Sequence, residues 1–200
     1  SNRSSIDVQV PGVNPGVPAI YACNLNGNTV FNETDDGSDL AASQLAWADL
    51  AAYLDWSGLR PMTELEYEKT CRGDAAPVPN EHPWGTATIL DTPYTLGAAG
   101  TPQEGIATNY ASNGVGNAVV DVTHASGFGP FRVGIFAAHP NNNGRVSAGA
   151  GRYGVMELAG NLFERCISAA TTSGRAFTGT HGNGALTAVG DHDASTWPPP

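Results

Sequence analysis

Leu59-Arg-Pro-Met-Thr-Glu-Leu-Glu-Tyr-Glu-Lys-Thr-Cys-Arg-Gly73 is the stretch that decides how this chain folds. Thr63 and Glu66 stand three residues apart, the spacing of a capping box, in which each side chain takes up the other's free backbone N–H; Pro61 precedes the pair and Gly73 closes the run. The spacing predicts a helix from Thr63 to Gly73, with Leu65 and Cys71 facing inward and Tyr67 and Lys69 more exposed. Upstream, Leu45, Leu50, Ala51 and Leu54 recur at helical intervals, Trp47 and Tyr53 flank them, and Gly58 supplies a stop. A first helix is therefore expected from Ser38 or Asp39 to about Trp56, its apolar face in the core. Two further segments follow downstream: His82-Pro-Trp-Gly85, and Gly151-Arg-Tyr-Gly-Val-Met-Glu-Leu-Ala-Gly-Asn-Leu-Phe-Glu-Arg165.

In kind and order, these three segments resemble those of the formylglycine-generating enzyme family, also called sulfatase-modifying-factor domains. The resemblance runs over roughly residues 40 to 197. It implies an α+β, C-type-lectin-like fold with two early helices, short strands and much irregular loop. Residues 1 to 22 read as an extended N-terminal arm, because Pro11, Pro15 and Pro18 remove the donors a central strand needs. Residues 23 to 200 then form the domain, without the family's first and last segments, as expected for the middle of a longer or processed protein. Short strands are expected near Ala118–Val122, Phe131–Phe136 and Asn161–Ile167.

Composition narrows the partners. Nine Lys and Arg against nineteen Asp and Glu give the 200 residues a formal charge of −10, which repels phosphate backbones and anionic lipid, so nucleic acid is not an expected partner. No apolar run is long enough for membrane insertion as a helix. The 25 Gly and 14 Pro favour a turn-rich body over a helical bundle. Fixing that much loop costs on the order of 1 to 2 kcal/mol per residue, so cations or side-chain-to-backbone hydrogen bonds are expected to help hold it.

Cys23, Cys71 and Cys166 allow at most one disulfide, and the last two read as small buried hydrophobes. The resemblance implies copper-binding catalysis through two neighbouring cysteines near the C-terminus, and this chain has no such pair. In a second branch, the sulfoxide synthases of thiol-histidine biosynthesis, the resemblance implies iron bound by an HxxxHxE motif. His82, His124, His139, His181 and His192 do not match that spacing. Asp191-His192-Asp193 with His181 reads as a solvated turn, and no Gly-x-Ser-x-Gly elbow occurs.

Calcium is the cofactor suggested most, by the residues of one loop and by the resemblance at two further sites. In the loop from residue 23 to 39, Asn24, Asn26 and Asn28 alternate around Gly27, and Asn32, Glu33, Asp35 and Asp36 follow, so oxygen-bearing side chains recur as in calcium loops. The same residues also suit an Asn/Asp/Gly turn cluster that satisfies its own backbone. Elsewhere the resemblance implies one calcium site at Asn161 and Glu164 and a second at Asn109, although the second site's acidic ligand falls on Gly134. As alternatives, Asn161 reads as a turn residue and Glu164 as a partner of Arg152 or Arg165. Asn2 and Asn32 lie in glycosylation sequons.

Two functions follow. One is a secreted or cell-surface, non-catalytic binding or structural module: an adhesin, a ligand binder or a subunit of an extracellular assembly. It would be calcium-stabilised, meet protein or glycan ligands at the cell surface, and self-associate through its arm. The other is a fragment of a metal-dependent oxidoreductase of the formylglycine-generating or sulfoxide-synthase type.

Overall fold

The computed structural model describes residues 3, 5–13, 16–90, 92–120 and 129–198. In chain order its elements are β1 (Ile6–Val10), β2 (Ile20–Cys23), α1 (Trp47–Trp56), α2 (Glu64–Arg72), β3 (Thr95–Gly97), β4 (Gly105–Thr108) and α3 (Thr172–Arg175). β1 pairs antiparallel with β2, and β3 with β4, as two separate two-stranded sheets. Single bridges elsewhere join Leu40 to Arg132, Thr63 to Ile167, Ile89 to Gly116 and Val119 to Gly160. Most of the chain is therefore loop stitched at points.

α2 begins and ends where its signals lie. The Thr63 hydroxyl accepts the Glu66 N–H at 3.2 Å, the Glu66 carboxylate accepts the Thr63 N–H at 2.9 Å, and Gly73 ends the helix at a φ of 71°. Cys71 is buried and Lys69 exposed, as expected, but Leu65 points to solvent at 67 % exposure. Tyr67 takes the inward position because it stands four residues, about one turn, before Cys71 and shares its face. Leu65, six residues before Cys71, cannot.

α1 starts nine residues later than Ser38. Gln44 sits at a φ of 62°, which breaks a helix, and Leu40 is held in a bridge to Arg132. The helix opens instead where Asp49 takes up the Ala46 N–H at 2.8 Å. Of the expected apolar stripe Ala51 is buried and Leu50 and Leu54 are half-buried, whereas Leu45, ahead of the helix, is exposed like Tyr53 and Trp56; the charged Asp55 is buried on the inward side as well. Gly182 and Asp55 occupy that face. A Cβ on Gly182 would lie 2.4 Å from the Asp55 Cα.

None of the three expected strands forms over the described residues. Gly134 at a φ of 74° turns the chain between Phe131 and Phe136, so Phe131, Ile135 and Phe136 reach the core from turns and Val133 is exposed. Asn161, at a φ of 62°, breaks the extended run before Phe163, which is fully exposed. Val119 makes a single bridge, and residues 121 to 128 lie outside the described part.

The core gathers Tyr94, Ile106, Val119, Phe131, Ile135 and Phe136. The Tyr94 ring stands 5.1 Å from Phe136 and 6.3 Å edge-on from Phe131, pairings that add roughly 0.5 to 1.5 kcal/mol beyond area burial. Side-chain amides replace the missing ladders. Buried Asn117 donates to the Ala111 and Ser147 carbonyls at 2.7 and 2.8 Å and accepts the Ala111 N–H at 2.9 Å. Trp84, wholly buried, lies so close over Gly116 that a Cβ there would fall 2.1 Å from its ring. This is how His82-Pro-Trp-Gly85 becomes a core motif.

The arm is a hairpin pinned at its base. Arg3, although charged, is buried in an ion pair with Glu104, whose carboxylate also accepts the Gly100 N–H at 2.7 Å and the Arg132 N–H at 2.9 Å. Beyond that base Ile6, Val8, Val10, Ile20 and Tyr21 face solvent.

Candidate functional site

The two distant signatures meet. The Arg152 N–H donates to the Cys71 carbonyl at 2.7 Å, Ile167 N–H to the Met62 carbonyl at 2.8 Å, and Glu64 N–H to the Ile167 carbonyl at 3.0 Å. The Tyr67 hydroxyl donates to the Leu158 carbonyl. A Cβ on Gly151 would stand 2.8 Å from the Thr70 carbonyl oxygen, so only glycine lets this segment approach α2 so closely. One surface of α2 is thus backed by the 151–167 segment along its length.

Four ionisable side chains cluster where they touch. Burial pushes the Tyr67 hydroxyl up, and the Cys71 and Glu164 charges push the same way. Burial likewise raises the Cys71 thiol, opposed by its hydrogen bond with Tyr67. Cys166 is raised by burial and by the carboxylates of Glu164, Glu64 and Glu66. All three cysteines are free thiols. Both thiols are thus pushed away from the thiolate form that makes a cysteine an activated nucleophile. Cys71 is buried as expected; Cys166 is only half-buried.

Glu66 does two jobs. Besides capping α2 it takes a two-pronged bond from Arg60, one arm at 2.9 Å, and these contacts with the Thr63 N–H hold its carboxyl down at about 2. Its role is structural, as the capping box implied.

The residues expected to bind calcium separate into three places. The Asn161 amide clamps backbone, its Oδ1 accepting the Phe131 N–H at 2.8 Å. Glu164 is exposed as a residue, yet its neighbours desolvate the carboxyl and raise its pKa; Arg152, one of its expected partners, lies 3.6 Å from Asp74 instead. Asn109 is exposed and donates to the Pro93 carbonyl at 2.6 Å. Asn26 and Asn28 form successive Asx turns, Asn26 accepting the Asn28 N–H at 3.0 Å and Asn28 the Val30 N–H at 2.7 Å. Asp35 and Asp36 come together with Glu33, and the residue after Asn24 bonds the same loop, its N–H donating to the Asp36 carbonyl. Asn32 is exposed and its Oδ1 accepts the Cys23 N–H at 3.0 Å; Asn2 lies outside the described residues.

Besides Glu104, two buried carboxylates escaped the reading of the sequence. Glu157 carries a φ of 62° and is pushed up to about 7 by burial, against a hydrogen bond from the Gly134 N–H. Its Oε1 is buried without a hydrogen-bond partner. Asp55, fully buried in α1, accepts the N–H groups of Asn183, Asp193 and Ala194 at 2.9, 2.9 and 3.2 Å. Asp191-His192-Asp193 is accordingly a turn fastened to α1, with His192 stacked on Trp197 at 5.7 Å. His82 and His139 are stacked too, on Trp84 and Tyr110.

Iron and copper, the metals the resemblance implies, do not fit the described residues. Among the described residues the one set of three or more acidic, His or Cys groups close enough to share an ion is Glu33, Asp35 and Asp36, oxygen donors without imidazole or thiolate. No helix of the described residues is long and apolar enough to cross a membrane.

Comparison with known proteins points the same way as the motifs. Over 82 residues the chain is 35 % identical to the hercynine oxygenase of Mycobacterium tuberculosis (strain ATCC 25618 / H37Rv), a formylglycine-generating-enzyme-like protein. The match takes in 40 % of this chain and 19 % of that enzyme, so the chain spans about a fifth of the curated relative's length. No family model matches the chain, and no solved structure does.

Proposed function

We propose that these residues are the scaffold of a metal-dependent oxidoreductase of the sulfoxide-synthase or formylglycine-generating type, with a C-type-lectin-like architecture. The observation that supports this reading is the junction of α2 with residues 151–167. It unites the segments that carry the resemblance, and the similarity to a hercynine oxygenase lends weight to the sulfoxide-synthase branch. In this reading the redox metal is held by residues other than those described, and calcium at Asn161, Glu164 and Asn109 stiffens the frame. Oxygen uptake by the full-length protein, supplied with hercynine, a cysteine-containing thiol as sulfur donor and ferrous iron, tests it: uptake that needs both hercynine and the thiol, with a sulfoxide product joining them, supports the proposal. Absence of uptake with iron, and with copper and a cysteine peptide, refutes it.

A second reading, a secreted or cell-surface binding module, is favoured by one observation. The hairpin arm leaves Ile6, Val8, Val10, Ile20 and Tyr21 uncovered, an apolar surface suited to a protein ligand or a second copy. Concentration-dependent association that is lost when Val8 and Tyr21 become Ser would support it.

A further inference from the structure

We propose that Asn24, Glu33, Asp35 and Asp36 form a site for a hard divalent cation of the calcium class, at the root of the β1–β2 hairpin. One carboxylate oxygen from each of Glu33, Asp35 and Asp36 lies within 4.8 Å of the others. The Glu33 Oε2 accepts the Asn28 Nδ2 at 2.6 Å, but among the described residues none of the three is paired with Lys or Arg, so the like charges crowd with no opposing charge beside them. Asp36 is completely buried. Its Oδ2 accepts the Glu33 N–H at 2.8 Å, whereas its Oδ1, equally buried, has no hydrogen-bond partner. A buried carboxylate oxygen without a donor is costly, and a cation is the species that relieves both the missing bond and the repulsion.

A second orphan lies alongside. Asn24 is 9 % exposed; its Nδ2 donates to Asp7 at 3.0 Å, and its Oδ1 is buried with no partner. The Leu25 N–H donates to the Asp36 carbonyl at 3.3 Å, which lays the Asn24 segment against Asp36. Carboxylates and an amide carbonyl, with no nitrogen or sulfur donor among them, select calcium or magnesium over transition metals. The loop is irregular and mixes buried with exposed ligands, which suits calcium's flexible shell better than magnesium's strict octahedron.

Position gives the ion a task. Asn24 ties to β1 through Asp7 and, by its N–H, to the Ser5 carbonyl at 2.7 Å, so an ion held by Asn24 and Asp36 clamps the hairpin to the body. The site shares no residue with the one implied at Asn161 and Glu164, and it stands whether or not the proposed activity does.

Calcium chloride titrated calorimetrically into the chelator-stripped chain, carrying Asn161→Gly, Glu164→Gln and Asn109→Gly to silence the two sites the resemblance implies and shown by circular dichroism to be folded, tests the proposal. One calcium per chain is expected, with a rise in melting temperature on calcium addition, and with affinity reduced at least tenfold by Glu33→Gln or by Asp35→Asn. Asp36→Asn, which keeps the acceptor for the Glu33 N–H, is expected to abolish binding; should it not fold by circular dichroism, the two milder variants decide. No calcium heat in that background, or affinity unchanged by Glu33→Gln and Asp35→Asn, overturns the site.

Discussion

Replacing Asp55 by Ala is expected to lower stability by about 4 kcal/mol. The carboxylate is wholly buried and accepts three backbone N–H groups from a segment 128 to 139 residues away. Removing the charged partner of a buried set costs roughly 3 to 5 kcal/mol, less than the sum of three separate bonds, because the freed N–H groups recover some solvent. At about 2 to 4 °C per kcal/mol for a chain of this size, melting falls by about 8 to 16 °C. The pH dependence has a definite sign. Burial acts to raise the Asp55 pKa, but the N–H groups of Asn183, Asp193 and Ala194, with His192, outweigh it and hold the carboxyl below its ordinary value. Its contribution is therefore complete above the unfolded value of about 3.9 and is lost as pH falls through the folded one. Urea denaturation at pH 7 and pH 3 measures both effects: the gap between Asp55→Ala and the parent chain is expected to shrink at pH 3. A loss below about 1 kcal/mol at pH 7, or an equal loss at both pH values, refutes the reasoning.

Other perturbations probe other joints. Thr63→Ala removes the acceptor of the Glu66 N–H and is expected to cost about 1 kcal/mol, read as a melting shift of a few degrees. Glu157→Gln is expected to stabilise the chain at pH 8. The fold favours the protonated Glu157 by burial, so stability is complete below about 4.3, where the unfolded carboxyl titrates, and is lost as pH rises through about 7; the gain of up to about 3 kcal/mol vanishes near pH 4. Glu104→Ala strands buried Arg3 and is expected to cost about 3 to 5 kcal/mol, with faster amide exchange in β1 and β2.

What could be read in the sequence was local. α2 was legible because a capping box works over three residues and Gly73 marks its own turn; the inward choice of Leu65 failed only for ignoring helical phase. The late start of α1 and the missing strands were hidden by left-handed backbone at Gln44, Gly134 and Asn161, a state that depends on tertiary contacts. Oxygen-bearing residues of the loop from 23 to 39 were visible from their recurrence. That Asn24 and Asp36 would be buried with orphaned oxygens was not, because burial is decided by the hairpin folding back on the body. Nothing in the sequence marked Asp55, since its partners follow 128 to 139 residues later. Glu157 carried no periodic signal; a feature that could have marked it is an acidic residue in a segment otherwise running Val155-Met-Glu-Leu-Ala159.

Amide hydrogen exchange of Glu64, Arg152 and Ile167 tests most directly whether the helix and the distant segment are one structural unit. Their N–H groups are the ones that cross between the two segments, so they are expected to exchange together, as slowly as the Tyr67 and Thr70 amides inside α2. Unprotected exchange at Arg152 and Ile167 beside a protected α2 would contradict the account and remove the ground for comparing this chain with oxygenases of that type.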